Sequence, residues 1–110
     1  MPYLMVFTTT PTEQEAALLA RSLVQDRLAA CFHIHAIRSV YRWEGKVLDE
    51  PEWRLAIKTT SERFSDVEAH IRRNHSYKTP EIVCLPIEGG SAAYLRWISE
   101  SVEDKTRAAK

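Results

Sequence analysis

The chain has 110 residues, 45% hydrophobic and 27% charged with only 3 Gly, which predicts a single domain over 1–110 and excludes a disordered, fibrous or low-complexity protein. Its 15 Lys and Arg balance 15 Asp and Glu and the signs are interspersed, so no net basic field draws it to nucleic acid or anionic lipid, and neither partner is expected. No apolar run approaches the ~18 residues of a membrane span, and 2 Cys make neither a disulfide framework nor a cluster motif.

The apolar run Tyr3 to Phe7 has no basic leader before it and no small-residue cleavage site after it, so it reads as a first strand rather than a signal peptide. The expected location is cytoplasmic. Thr12 and Glu15 have the spacing of a capping box, and Ala16, Leu19, Ala20, Leu23, Val24 and Leu28 recur at helical period, predicting an amphipathic helix that lies on a sheet. From Cys31 the period is two. Phe32, Ile34 and Ala36 line one face, but Ile37, Tyr41 and Trp43 fall on the other parity, which predicts a bulge or bend near Ala36 to Ser39. A turn near Leu48 to Glu50 returns the chain, and Trp53, Leu55, Ile57 and Thr59 alternate on the partner strand of a long hairpin.

Ser61 is placed to cap a second helix with Phe64, Val67 and Ile71 on one stripe, and Asn74 stands where a left-handed terminating residue is expected. Pro80 holds Thr79 extended ahead of a last strand, Ile82 to Pro86. After Gly89 and Gly90, Ser91 caps a third helix that buries Tyr94, Leu95, Ile98 and Val102, and the polar tail 103–110 is expected to fray. The order strand, helix, strand, strand, helix, strand, helix predicts an α+β, ferredoxin-like (split βαβ) sandwich with a long hairpin between strands two and three and an extra C-terminal helix. Two crossover helices cover one face of such a sheet. The other face is left half uncovered, and together with Tyr41 and Trp43 it forms an apolar patch that self-association would bury.

Few residues carry a chemical signal. Cys31, His33 and His35 stand at i, i+2 and i+4 and share one strand face; adjacent pairs are about 7 Å apart, near enough for two to share a metal. The outer two span about 13 Å on a straight strand, so all three meet one ion only across a bend; the alternative is a small core thiol and solvent-facing imidazoles. His70 and His75 diverge by about 140° on a helix and make no clamp. Lys58 interrupts an otherwise apolar strand and needs a partner. That partner is either a carboxylate such as Glu81 or Glu44, or a small anionic or zwitterionic ligand in an intersubunit cleft that Lys58 shares with Trp43, Tyr77 and Glu81. There is no nucleophile elbow, phosphate-cradling loop, HExxH or redox cysteine pair, and no RNA-binding pattern of stacking aromatics, so no enzyme is expected.

Five ordered segments carry a resemblance over nearly the whole chain: RLAAC from Arg27 to Cys31, SVYRWEGK from Ser39 to Lys46, LAIKTT from Leu55 to Thr60, HSYKTPEI from His75 to Ile82 and YLRWI from Tyr94 to Ile98. Together they resemble the CutA family of divalent-cation tolerance proteins. The resemblance implies a homotrimer whose hairpins, here carrying Tyr41 and Trp43, reach across to neighbours. It also implies binding of a divalent cation, Cu²⁺ or Zn²⁺. The copper-binding pattern of some members uses a thiol on the first strand and two consecutive histidines. Thr8 and Asn74 replace the first two of these ligands and only His75 remains. Two functional classes follow: a trimeric metal-responsive binding protein, or a small-effector sensor resembling PII-type regulators, which bind ligands in clefts between subunits. A rigid interaction scaffold is the plainest third.

Overall fold

The computed structural model describes residues 2–103. Tyr3–Thr10 form β1, Glu13–Gln25 α1, Cys31–Trp43 β2, Lys46–Thr60 β3, Phe64–Asn74 α2, Val83–Pro86 β4 and Ala92–Ser101 α3, with one 3₁₀ turn at Ser61–Arg63. The strands run in the order β2-β3-β1-β4. Every neighbouring pair is antiparallel, so the expected ferredoxin-like sandwich is the fold observed. The frayed tail expected for 103–110 lies, apart from Glu103, outside the described residues.

Strand parity divides the sheet into two faces. Val6, Leu55, Ile57 and Phe32 share one face with the buried stripes of α1 (Leu19, Leu23) and α2 (Val67, Ile71), and this is the main core. Each such side chain contributes about 1.5–3 kcal/mol by leaving water. α3 packs on the opposite face at one end, where Ile98 and Val102 meet Ala30, Tyr3 and Leu95. Among the described residues no helix covers the rest of that face. Phe7 there is covered by the Arg54 guanidinium, 4.2 Å above its ring, while Leu85 and Val83 on β4 stay more than half exposed.

The hairpin departs from expectation in two ways. Its turn is the two-residue Glu44–Gly45, with φ of 50° and 80°, because glycine accepts a left-handed conformation that suits the twist of the flanking strands; it is not at Leu48 to Glu50. No bulge occurs near Ala36 to Ser39: the ladder runs without interruption from Cys31↔Lys58 to Trp43↔Lys46. The change of apolar parity has a different cause. β3 pairs with β1 only as far as Trp53, so residues 37–52 form a two-stranded ribbon beyond the sheet and beyond the helices that make Phe32 and Ile34 prefer the core side. On the ribbon the residues of the open face, Ile37, Ser39 and Tyr41, are the more buried.

The helix ends also differ in detail. Thr12 accepts the amide of Glu15 and Ser91 that of Tyr94, as expected, but Glu15 does not return to Thr12 and points elsewhere. Ser61 opens the 3₁₀ turn instead of capping α2, which has no side-chain cap. Asn74 remains helical and closes α2 by donating its amide to the carbonyl of His70, while the left-handed residue after a helix is Arg27, behind α1.

His70 clips α1 to α2, its Nε2 lying 2.7 Å from Ser22 Oγ. Burial pushes its pKa down; the Asp26 carboxylate opposes this and the Arg73 charge adds to it. A histidine whose folded pKa is depressed binds fewer protons than in the unfolded chain, so its contribution is present above about pH 6.5 and lost as pH falls through the folded value. The thermal midpoint, followed by circular dichroism at fixed protein concentration, is expected to fall between about pH 7.5 and 5.5. His70→Gln should flatten that slope, and equal slopes for the two proteins would contradict the assignment.

Candidate functional site

Five polar side chains, Glu15, His75, Ser76, Tyr77 and Glu52, connect α1 to the ribbon through the junction that follows α2. At His75 the backbone leaves the helix for an extended conformation, φ −99° and ψ 142°, and the imidazole turns inward until no part of it is exposed. The Thr9 carbonyl, 2.7 Å from Nε2, can only accept, so Nε2 carries the proton. Nδ1 then accepts the amide of Tyr77 at 3.0 Å. Both nitrogens are occupied, and neither has a lone pair left for a metal in this arrangement. Glu15 holds the same junction by accepting from the Ser76 amide at 3.0 Å and the Ser76 hydroxyl at 2.7 Å.

His75 thereby orients Tyr77, its ring centroid 5.0 Å away. The Tyr77 hydroxyl donates to Glu52 at 2.5 Å, and Tyr41 donates in the same way to Glu50 at 2.6 Å. Burial, followed by the bond to Glu52, raises the Tyr77 pKa well above the ordinary phenol value; the bond to Glu50 raises that of Tyr41 to about 12. Both phenols are protonated donors at any physiological pH. Glu52 is only 5% exposed, and among the described residues no Lys, Arg or His comes within ion-pair distance of it.

These groups border a cleft of about 770 Å³ between the ribbon and the segment 76–81. Trp43, Tyr41, Tyr77, Glu52 and Glu81 line it, with Arg38 and Lys78 at its edges. Within one protomer, Trp43, Tyr77 and Glu81, three of the residues expected to line a cleft between subunits, border this cleft. Lys58 does not: it lies under α3, donating to the Tyr94 hydroxyl at 3.1 Å and sitting 5.0 Å from that ring, and it pairs with neither Glu81 nor Glu44.

Cys31, His33 and His35 occupy the open face of β2 in one line, and the missing bend leaves them strung out along the strand. The Cys31 thiol is 3.5 Å from the Tyr94 hydroxyl. Among the described residues no three His, Cys, Asp or Glu side chains converge on a point where one ion would fit. Thr8 is fully buried with its hydroxyl oxygen unpartnered. One further constellation has the outline of a hydrolytic triad: Ser22, His70 and Asp26, with His70 Nδ1 3.8 Å from the carboxylate. Ser22 Oγ spends its proton on the Leu19 carbonyl at 2.9 Å and His70 is buried, so the group is a helix clip.

Glu15, Glu50 and Glu52 are the functional residues that periodicity alone missed. Glu15 was absorbed by a cap, and Glu50 and Glu52 belong to the polar parity of β3. The signal for Glu52 was the Glu44–Gly45 turn, because that turn sets Glu52 opposite Ile37 on the face of Tyr41 and Trp43.

Residues 4–101 match the family model described as CutA1 divalent ion tolerance protein. Protein CutA, chloroplastic, of Arabidopsis thaliana is 42% identical over 105 residues, 94% of this chain, which spans 58% of that longer protein. Divalent-cation tolerance protein CutA of Archaeoglobus fulgidus is 41% identical over 98 residues, 89% of this chain and 96% of its own. The structure of the periplasmic divalent cation tolerance protein CutA from Archaeoglobus fulgidus superimposes with a TM-score of 0.90 at 40% identity, over 92% of this chain and 99% of that one. The crystal structure of CutA1 from Oryza sativa gives 0.90 at 39% identity, over 94% and 96%.

Removing the Tyr77 hydroxyl strips a buried carboxylate of its donor. Tyr77→Phe is expected to cost about 1–3 kcal/mol in urea unfolding at fixed protein concentration, and Tyr77→Phe with Glu52→Gln less than the sum of the two. An unchanged midpoint in Tyr77→Phe would mean that the phenol does not hold Glu52.

Proposed function

Because the chain belongs to the CutA family of divalent-cation tolerance proteins, we propose that it acts as a cytoplasmic homotrimer in the response to divalent cations such as Cu²⁺ and Zn²⁺, by binding and without catalysis. The observation that carries this reading is the family match over residues 4–101, supported by relatives near 40% identity that bear the tolerance name. The two free thiols, Cys31 and Cys84, suit a reducing compartment. Among the described residues no helix is long and apolar enough to cross a membrane.

What supports the trimer is unsatisfied surface. Val40, Trp43 and Val47 stand exposed on the ribbon, Val83 and Leu85 on the edge strand β4, and the sheet order leaves the outer edges of β2 and β4 free. A closed threefold arrangement covers both kinds of surface without leaving an edge open to further growth.

The metal reading rests on donors that one protomer presents but does not assemble. His33 stands exposed on the open face of β2 and Cys31 lies beside Tyr94 of α3, whereas the lone pairs of His75 are already used, so a neighbouring subunit completes the coordination set. A second reading, a small-effector sensor of the PII type, is favoured by the cleft beside Trp43, Tyr77 and Glu81.

Calorimetric titration of Cu²⁺ and Zn²⁺ into metal-free protein at neutral pH is expected to show saturable binding that weakens at least about tenfold in His33→Ala and persists in His75→Ala. Heats too small to measure for both ions would end the metal reading. Sedimentation should give three times the 12.7 kDa chain mass. Trp43→Ala should weaken the assembly and lower its thermal midpoint; a wild-type monomer at micromolar concentration would refute the trimer.

A further inference from the structure

We propose that the cleft beside Glu52 is a receptor for a small organic cation, a primary ammonium seated against the Glu52 carboxylate with its carbon body on the rings of Trp43 and Tyr77. The inference rests on the small-effector reading above and names the ligand class for that site.

Charge carries the first part of the argument. A carboxylate removed from water is costly unless a countercharge or a full set of donors meets it. Glu52 is buried, lines the cleft, and among the described residues accepts a hydrogen bond from the Tyr77 hydroxyl alone. Neither basic residue at the edge supplies the countercharge. Arg38 is taken by Asp49 through two bonds of 2.8 and 2.7 Å, and Lys78 is exposed at the mouth with the equally exposed Glu81. With Arg38 paired to Asp49, the formal charges left on the lining are those of Lys78, Glu81 and Glu52, a net of −1. Tyr41 brings a second carboxylate close, because its hydroxyl is bound to Glu50.

The walls decide between an organic cation and a bare metal ion. Trp43, Tyr41 and Tyr77 line the cleft with aromatic rings, which attract cations through their quadrupoles and pack against carbon, but which offer a metal no lone pair. Both phenol oxygens are protonated and committed to carboxylates, and each phenol that donates to an anion has a more electron-rich ring. No three metal-ligating side chains converge among the described residues. A volume of about 770 Å³ is that of a small-molecule site and far exceeds a single ion. Lys58, the residue that would have suited an anionic ligand, is held by Tyr94 under α3.

The test is calorimetric titration of the full-length, metal-free protein at neutral pH with 1,5-diaminopentane, with pentan-1-ol as its neutral counterpart and glutarate as its anionic one. Saturable binding of the diamine is expected, at least about tenfold tighter than that of the alcohol, weakened by added salt and at least tenfold weaker in Glu52→Gln. Glu52→Gln keeps an oxygen to accept from Tyr77, and its melting curve shows whether the fold is retained. The diamine-to-alcohol comparison needs only the wild-type chain. No diamine binding at millimolar concentration, equal binding of pentan-1-ol, or an undiminished affinity in a folded Glu52→Gln would each overturn the proposal. Glutarate bound in place of the diamine would overturn the cation; saturable Cu²⁺ binding by a trimer that ignores all three compounds would overturn the cleft while keeping the metal reading.

Discussion

An unbroken antiparallel register, closed by the two-residue turn Glu44–Gly45, is the constraint from which the rest of the molecule follows. Because side chains alternate with period two, one inserted residue anywhere in the ribbon would exchange its faces. With none inserted, Tyr41, Trp43, Glu50 and Glu52 project from the face that the sheet leaves open, while Phe32, Ile34, Leu55 and Ile57 remain on the face that α1 and α2 cover. One turn conformation thus places a core on one side and a cleft on the other. The 15-residue β3 is the shared beam: half of it is a central strand and half is ribbon.

A buried polar chain fixes the second wall. Glu15 on α1 holds Ser76, His75 reads the carbonyl of Thr9 on β1 and the amide of Tyr77, and Tyr77 reaches Glu52 on β3. Networks of this kind gain strength from low dielectric and penalise any missing member, so they define a single geometry for the segment they cross. The histidine here is a positioning group. Its chemistry is to donate at one nitrogen and accept at the other, which a cation-ligating role would require it to abandon.

The two faces of the sheet divide the labour between stability and recognition. Helices α1 and α2 bury the aliphatic core on one, where His70 adds a clip sensitive to acid. On the other, α3 covers only the end near Tyr3 and Ala30, pins Lys58 and Cys31 beneath Tyr94, and leaves β4 and the ribbon uncovered. The chain belongs to a family described by divalent ion tolerance. The side chains around the cleft favour oxygen and ring contacts over soft coordination.

The amino-acid sequence by itself determined the element order, the ferredoxin-like sandwich, the caps at Thr12 and Ser91 and the family, because periodicity, capping chemistry and ordered motifs are local properties that need no knowledge of neighbours. It also grouped Trp43, Tyr77 and Glu81. Tertiary structure alone decided three matters. It set the ribbon straight instead of bulged, since the parity of apolar residues reports which face is covered, and cover on the ribbon ends with the helices. It moved Lys58 from the cleft to Tyr94, since the position of α3 on the open face is set by packing against Tyr3 and Ala30, not by any pattern in β3. It buried Glu52 and consumed His75, since both depend on contacts between residues 25 or more positions apart, and such contacts exist only once the chain has folded.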